Sequence, residues 1–306
     1  MPKRKPATIR VGVAGWDYPD WQGVVYPQPG PKAGERVRFL AHYIDLIEIN
    51  SSFYGPPRPA VSRRWAELAA DLPDFRYTAK LWRRFTHERG EAWTATEVRQ
   101  VEAGFAPLLE AGRLDAVLAQ FPWSFKNEEP NREWLADLAG TFAELPLVVE
   151  VRHASWNDPE FYGWLAAEGI GFVNIDQPLF RRSLEPSARR TAGVGYIRVH
   201  GRNYQDWFRK DAGRDARYDY LYEPEQLEPW VDRARELAGT PGTPAVDVVF
   251  NNHYKGKAVV NALQFRSELE ARQVPAPPPL VAAYPDALRG MARPAPPGAL
   301  GGRSAA

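Results

Sequence analysis

The sequence predicts an α/β chain closed into a TIM-like (β/α)8 barrel with a reduced sixth helix. Three observations carry this expectation: eight short hydrophobic runs, amphipathic segments between them, and polar residues gathered at the C-terminal ends of the runs. Strands that alternate with helices build parallel sheets, and eight of them favour closure, with an open doubly wound sheet as the rival. The 306 residues suit a single unit of this kind, which commonly takes about 250.

The runs are Arg10–Gly15, Leu46–Ser51, Phe75–Lys80, Ala116–Phe121, Leu147–Val151, Gly171–Asp176, Gly195–His200 and Val246–Asn251. Short length and richness in Val, Ile and Phe favour strands over buried helix fragments. Gly12-Val-Ala-Gly15, at the end of the first run, reads as a tight turn. Behind the second run, Val61, Trp65, Leu68 and Leu72 recur at helical spacing after Arg58-Pro59, and proline suits a first helical position. Asp158-Pro159 marks the helix after the fifth run. Glu223-Pro224 marks the helix after the seventh, with Leu227, Trp230, Val231, Ala234 and Leu237 on one face. The connection Gln177–Val194 is short and polar, so its helix is reduced or lost. Pro275–Ala306 holds eight prolines, and only Leu280–Leu288 has the composition to pack. The expected division is a basic extension over 1–8, one barrel domain over 9–288 and a disordered Pro/Ala/Gly-rich tail over 289–306.

Composition narrows the function. Thirty-nine Lys plus Arg against 38 Asp plus Glu give a net charge of +1, which excludes a supercharged nucleic-acid coat protein while leaving room for a local basic patch. The absence of Cys excludes a disulfide scaffold, a thiol nucleophile and Cys-based metal sites. No apolar segment of signal-peptide length follows the basic start, and no window approaches the ~20 apolar residues of a membrane span. The expectation is a cytoplasmic protein without a membrane partner. Lysines are scarce, 8 against 31 Arg, so a lysine at a strand end stands out.

Alternation along the strands places polar residues opposite the apolar set at the C-terminal ends: Glu48 and Asn50, Thr78 and Lys80, Glu150 and Arg152, Asn174 and Asp176, Arg198 and His200. Gln120 and Asn251 hold comparable late positions. Barrel active sites sit at this face, whereas barrel interiors are normally filled by branched apolar side chains. Glu48 or Glu150 with His200 or His253 are the general acid–base candidates. Lys80, Arg152 and Arg202 are candidates for holding negative charge. Trp16, Asn50, Tyr54, Gln120, His153, Asp176, Trp207 and Asn251 complete the expected substrate-binding set. His87 lies on the loop after the third strand, and His42 sits in a helix. The loop Gly201–Tyr222, rich in Arg and aromatics, is expected to fold as a lid, with Arg202 at its root reaching the ligand and Trp207 packing nearby. A structural alternative is an ion-pair network that plugs the barrel. No cofactor or metal is expected: the cations already neutralise the carboxylates, and no HExxH, GxSxG, Walker A or GxGxxG motif is present. A divalent metal held by the same carboxylates and histidines is the alternative.

The motifs Gly15-Trp16, Trp21-x-Gly23, Tyr26-Pro27, Glu48-Ile-Asn-Ser-Ser-Phe-Tyr54, Lys80 with Thr86-His87, Gln120-Phe-Pro122, Ser124-Phe125, Glu150-x-Arg-His153, Ser155-Trp156, Asp176-x-Pro178, His200-Gly-Arg202 and Phe250-Asn-Asn-His253 follow one another along the chain. In this order they resemble domain of unknown function 72, the YecE-like family, from about Val11 to Phe265. The resemblance implies a TIM-like barrel and no particular reaction. Val13-Ala14 stands where that family often carries hydroxyl residues.

The functional expectation is an enzyme acting on a phosphorylated or otherwise anionic, nucleotide-like substrate, with phosphodiester hydrolysis ahead of sugar-phosphate isomerisation or lysis. The alternative is a barrel that binds nucleic acid or a ligand without catalysis. The sequence leaves the oligomeric state open.

Overall fold

In the computed structural model, which describes residues 7–205, 209 and 217–297, eight parallel strands close into a barrel in chain order. They are β1 (Thr8–Ala14), β2 (Leu46–Ile49), β3 (Arg76–Lys80), β4 (Leu114–Gln120), β5 (Leu147–Glu150), β6 (Gly171–Asp176), β7 (Gly195–Val199) and β8 (Ala245–Phe250). Each matches its expected run to within two residues. Around them lie α1 (Arg36–Ala41), α2 (Pro59–Leu68), α3 (Arg83–Thr86), α4 (Ala95–Glu110), α5 (Glu129–Thr141), α6 (Pro159–Ala167), α7 (Pro224–Gly239), α8 (Lys257–Glu270) and α9 (Pro278–Ala283). The helices α2, α6 and α7 begin at the three expected prolines. At α4, Thr94 Oγ1 accepts the Glu97 N–H at 3.2 Å and Glu97 Oε2 accepts the Thr94 N–H at 2.6 Å, a reciprocal cap that stabilises the first turn by about 1 kcal/mol. Val11, Val13, Ile47, Ile49, Val149 and Val151 point outward into the helix layer and are buried there.

The ends of the domain differ from the sequence expectation. Thr8 already pairs with Ala245, so the barrel starts one residue earlier. Beyond residue 288 the chain packs: β9 (Val274–Ala276) and β10 (Ala292–Pro294) form a parallel pair, and the Tyr43 hydroxyl donates to the Ala295 carbonyl at 2.8 Å. A two-stranded pair tolerates proline at its edge, which is why composition alone misread residues 289–297. Gly12 lies inside β1 rather than in a turn. A Cβ there would come within 1.7 Å of the Leu46 carbonyl oxygen, so the close strand approach requires glycine. Gly15, at φ +77°, makes the turn.

The sixth strand also corrects the expected alternation. Its register sets Val173 beside Tyr196 and Ile175 beside Arg198, so the apolar residues face the barrel and Asn174 and Asp176 face outward. The reason lies in the missing helix: residues 177–194 are described and none is helical. An irregular segment covers β6 there and brings backbone groups that need partners. Asn174 Oδ1 accepts the Arg189 N–H at 2.8 Å and the Ser187 hydroxyl at 2.7 Å, while Nδ2 donates to the Arg189 carbonyl at 2.9 Å.

The N-terminal end of the barrel is closed by ions. Arg10 meets Asp115 at 2.6 Å and Asp247 at 3.6 Å, and Arg76 meets Asp115 at 3.3 Å. A register shift between Tyr77 and Thr78 against β4 skips Asp115 and turns it into this cluster.

Asn174→Leu is expected to cost about 1–3 kcal/mol in urea unfolding, because the part-buried Arg189 backbone groups and the Ser187 hydroxyl lose their partners. A loss below about 1 kcal/mol would contradict the outward placement of Asn174.

Candidate active site

Above the apolar middle of the barrel, Arg198 on β7 forms a fork between two carboxylates. Its Nη2 and Nε donate to Glu48 of β2 at 2.6 and 2.9 Å, and its Nη1 donates to Glu150 of β5 at 2.5 Å. All three side chains are buried. Glu48 also lies 3.1 Å from the Tyr196 hydroxyl, which is 2.8 Å from Thr78 Oγ1. Burial pushes the Tyr196 phenol well above its ordinary range, and the Glu48 charge adds to that. The second oxygen of Glu150 accepts Arg152 Nε and Nη2 at 3.0 and 2.8 Å and meets His200 Nε2 at 3.1 Å. Burial alone would raise the Glu150 carboxyl, but the charges of Arg198 and Arg152, with the hydrogen bond from His200, outweigh it and hold the group well below its usual range.

His200 is neutral. Burial lowers it to about 3 despite the neighbouring Glu150. Its Nε2 faces Glu150, so that nitrogen carries the proton, and Nδ1 accepts Asn251 Nδ2 at 3.1 Å.

Lys80, at the end of β3, has a different environment. Its Nζ donates to Gln120 Oε1 at 3.1 Å and sits 4.1 Å from the centre of the Phe53 ring. Among the described residues no salt bridge to Lys80 is formed, because Glu48 and Glu150 are engaged by arginine. Burial, then the positive charge of Arg198, lowers the ammonium to about 8 against the pull of Glu48 and Glu150.

This floor opens into a cavity of about 840 Å3. Eight of the expected site residues line it: Trp16, Asn50, Tyr54, Lys80, Gln120, Arg152, Asn251 and His253. Glu48, Glu150 and His200 lie beneath it, sealed from solvent. His153 is outside the lining; its Nδ1 accepts the Ser155 N–H at 3.1 Å and its ring lies 5.3 Å from Trp123. Asp176 and Arg202 are outside as well, contrary to the expected lid root. Outward-facing Asp176 accepts Arg202 Nε and Nη2, each at 2.9 Å, together with Trp230 Nε1 at 3.2 Å and the Tyr222 hydroxyl. Arg202 is thereby spent on fixing the start of the loop after β7. Trp207 lies outside the described residues. At the other end of that loop, Arg217 and Tyr218 line the cavity, and Tyr218 lies 5.1 Å from the His253 ring, whose other neighbour Tyr18 stacks on it at 4.3 Å.

Sequence reasoning left Arg83, Phe53 and His87 out of the site. Arg83 begins α3, directly after β3, and pairs with Glu88 at 2.8 Å; nothing in its local sequence separates it from a surface arginine. His87 packs edge-on against Phe53 at 4.9 Å, and burial, followed by the charge of Lys80, lowers it to about 4. Its position after the third strand was the available signal. Among the described residues, no group of three or more His, Asp or Glu side chains is arranged to hold a metal ion.

The fold and site define a closed TIM-like barrel whose C-terminal mouth carries a cationic cavity above an arginine–carboxylate lock. The chain belongs to the family described as protein of unknown function DUF72, which matches residues 10–283. It is 28% identical over 275 residues to the UPF0759 protein YunF of Bacillus subtilis (strain 168), covering 86% of this chain and 95% of that one. The UPF0759 protein YecE of Escherichia coli (strain K12) is 26% identical over 204 residues, 66% of each chain. Among solved structures, a DUF72 family protein (TM1631) from Thermotoga maritima MSB8 is 34% identical with a TM-score of 0.75, over 86% of this chain and 99% of that one. A DUF72 family protein (EF0366) from Enterococcus faecalis V583 shares the fold at a TM-score of 0.74 and 23% identity. No described helix is long and apolar enough to cross a membrane.

The Lys80 environment fixes a pH dependence of stability. Below pH 8 both folded and unfolded chains hold the lysine proton, and the fold bears the full cost of burying it. Between about 8 and 10.5 the folded chain releases the proton first, so the cost falls as pH rises. Lys80 is only half-buried at the cavity floor, so Lys80→Met should stabilise the protein by about 1–2 kcal/mol at pH 6.5, with the gain shrinking towards zero near the ordinary lysine pKa. Urea unfolding at several pH values checks this. A loss of stability at pH 6.5 would instead mean that Lys80 balances a buried carboxylate.

Proposed function

We propose that the mouth is an active site for a small phosphorylated substrate. The observation that carries this reading is the charge around the cavity. Lys80, Arg83, Arg152 and Arg217 line it, Arg83 being also paired with Glu88 and Arg152 with Glu150, and the one carboxylate among its described lining residues, Asp17, is paired with Arg36. Arginine forks and a lysine point charge are suited to phosphate oxygens. Aromatic walls, with Trp16, Tyr18 and Phe53 among them, give the rest of the ligand an apolar surface.

The acid–base groups differ from those the sequence favoured. Glu48 and Glu150 are held by Arg198 and sealed below the cavity, so neither reaches a substrate proton. Lys80, His87 and His253 line the cavity and take that role, with Lys80 the group whose lowered value lies near working pH. An amine that can lose its proton favours rearrangement or cleavage of a sugar phosphate, where it can act on a carbonyl, over phosphodiester hydrolysis.

Inorganic phosphate at millimolar concentration should raise the melting temperature by about 2 °C or more through binding to the folded state, and Arg83→Met and Lys80→Met should each reduce that shift. No shift in the wild-type protein would contradict the anion site. A short single-stranded oligonucleotide binding far more tightly than phosphate, with affinity falling steeply with salt, would instead favour a nucleic-acid-binding barrel.

A further inference from the structure

We propose that Lys80 is a covalent nucleophile that forms an imine with a phosphorylated aldehyde or ketone bound in the mouth. The inference rests on the anionic-substrate reading above and adds the reactive group of the substrate. Its basis is placement. Lys80 ends a barrel strand, so its backbone is fixed by β2 and β4 on either side. The Nζ faces the cavity, held by one amide oxygen of Gln120 at 3.1 Å and covered on one side by the Phe53 ring at 4.1 Å. A lysine that served only to hold charge would be expected to pair with the carboxylates beneath it. Here those carboxylates are taken by Arg198 and Arg152. The arginines remain cationic at any working pH, whereas the lysine can lose its proton. Burial lowers it to about 8, so about a tenth of it is neutral at pH 7, against a far smaller share for an ordinary lysine.

The step balances without a further reactant. The ammonium first gives a proton to water. The Nζ lone pair then attacks the carbonyl carbon; the C–N bond forms, and the carbonyl π pair moves to oxygen, which takes a proton. Nitrogen's second proton passes through water to the hydroxyl, the C–O bond breaks to release water, and the nitrogen lone pair closes the C=N bond of the protonated imine. Arg83 and Arg217 stand in the same cavity to hold the phosphate while the carbonyl reaches Nζ. Gln120 orients the amine as an acceptor and supplies no charge that would return Lys80 to a permanent ammonium.

The test is reductive trapping on the full-length protein. The chain is incubated with glyceraldehyde 3-phosphate and sodium cyanoborohydride, digested, and each lysine is mapped by mass spectrometry. Lys80 should be modified at least tenfold faster than Lys126, Lys255 and Lys257, with the rate rising through pH 8. Inorganic phosphate should suppress the Lys80 adduct and leave the others unchanged. In Lys80→Arg, phosphate should still raise the melting temperature while the fast adduct disappears. Labelling of Lys80 no faster than of the other lysines, in a protein that still binds phosphate, overturns the imine and leaves the anion site standing. Slow labelling together with no phosphate binding overturns both.

Discussion

The upper half of this barrel depends on one buried guanidinium. Arg198 crosses from β7 to reach carboxylates on β2 and β5, so three strands are tied by a single side chain with no solvent around it. Leaving either carboxylate unpaired would strand a buried charge, at a cost of about 3–5 kcal/mol. The geometry decides what every neighbour can do. Glu48 and Glu150 become fixed anions; Arg152 and His200 are recruited by the remaining oxygen of Glu150; and Lys80 is left beside a network whose charges are already matched.

The two ends of the barrel show how partner geometry sets protonation. At the top, Glu150 is pushed up by burial but pulled further down by the charges of Arg198 and Arg152 and by the His200 hydrogen bond. At the bottom, Asp247 is equally buried, but Arg10 is 3.6 Å away and Asp115 is close, so burial and then like charge raise it well above its ordinary range. One carboxylate stays charged and the other holds its proton more firmly, although both sit inside the same β-barrel. The contrast explains why the cavity lies at the C-terminal end. That end combines cations with room above them, whereas the N-terminal end is filled by its own ions.

Much of this was readable before the structure. Strand runs and the prolines at 59, 159 and 224 located the barrel, because period-two and cap signals are local. Alternation placed Glu48, Lys80, Glu150 and Arg198 inside correctly, since their strands are backed by helices that demand an apolar outer face. On β6 the same rule inverted Asn174 and Asp176, because the layer outside them is an irregular segment with polar backbone to satisfy. Arg202 meets Asp176 instead of a ligand because Asp176 points outward, a placement that alternation on β6 does not give. The Arg198 fork could not be derived at all, since which carboxylate meets which cation is settled by strand tilt across the barrel. That pairing is what turns Glu48 and Glu150 from candidate bases into structural anions and moves the chemistry to Lys80.

If Arg198 satisfies both carboxylates and leaves Lys80 without an ionic partner, the Lys80 side chain itself must titrate low. NMR on protein carrying isotope-labelled lysine, with the signal assigned by its loss in Lys80→Met, gives the midpoint. The expected midpoint is near 8, well below the ordinary lysine value. A midpoint at or above the ordinary lysine value of about 10.4 would show that a carboxylate pairs with Lys80, and would contradict that arrangement.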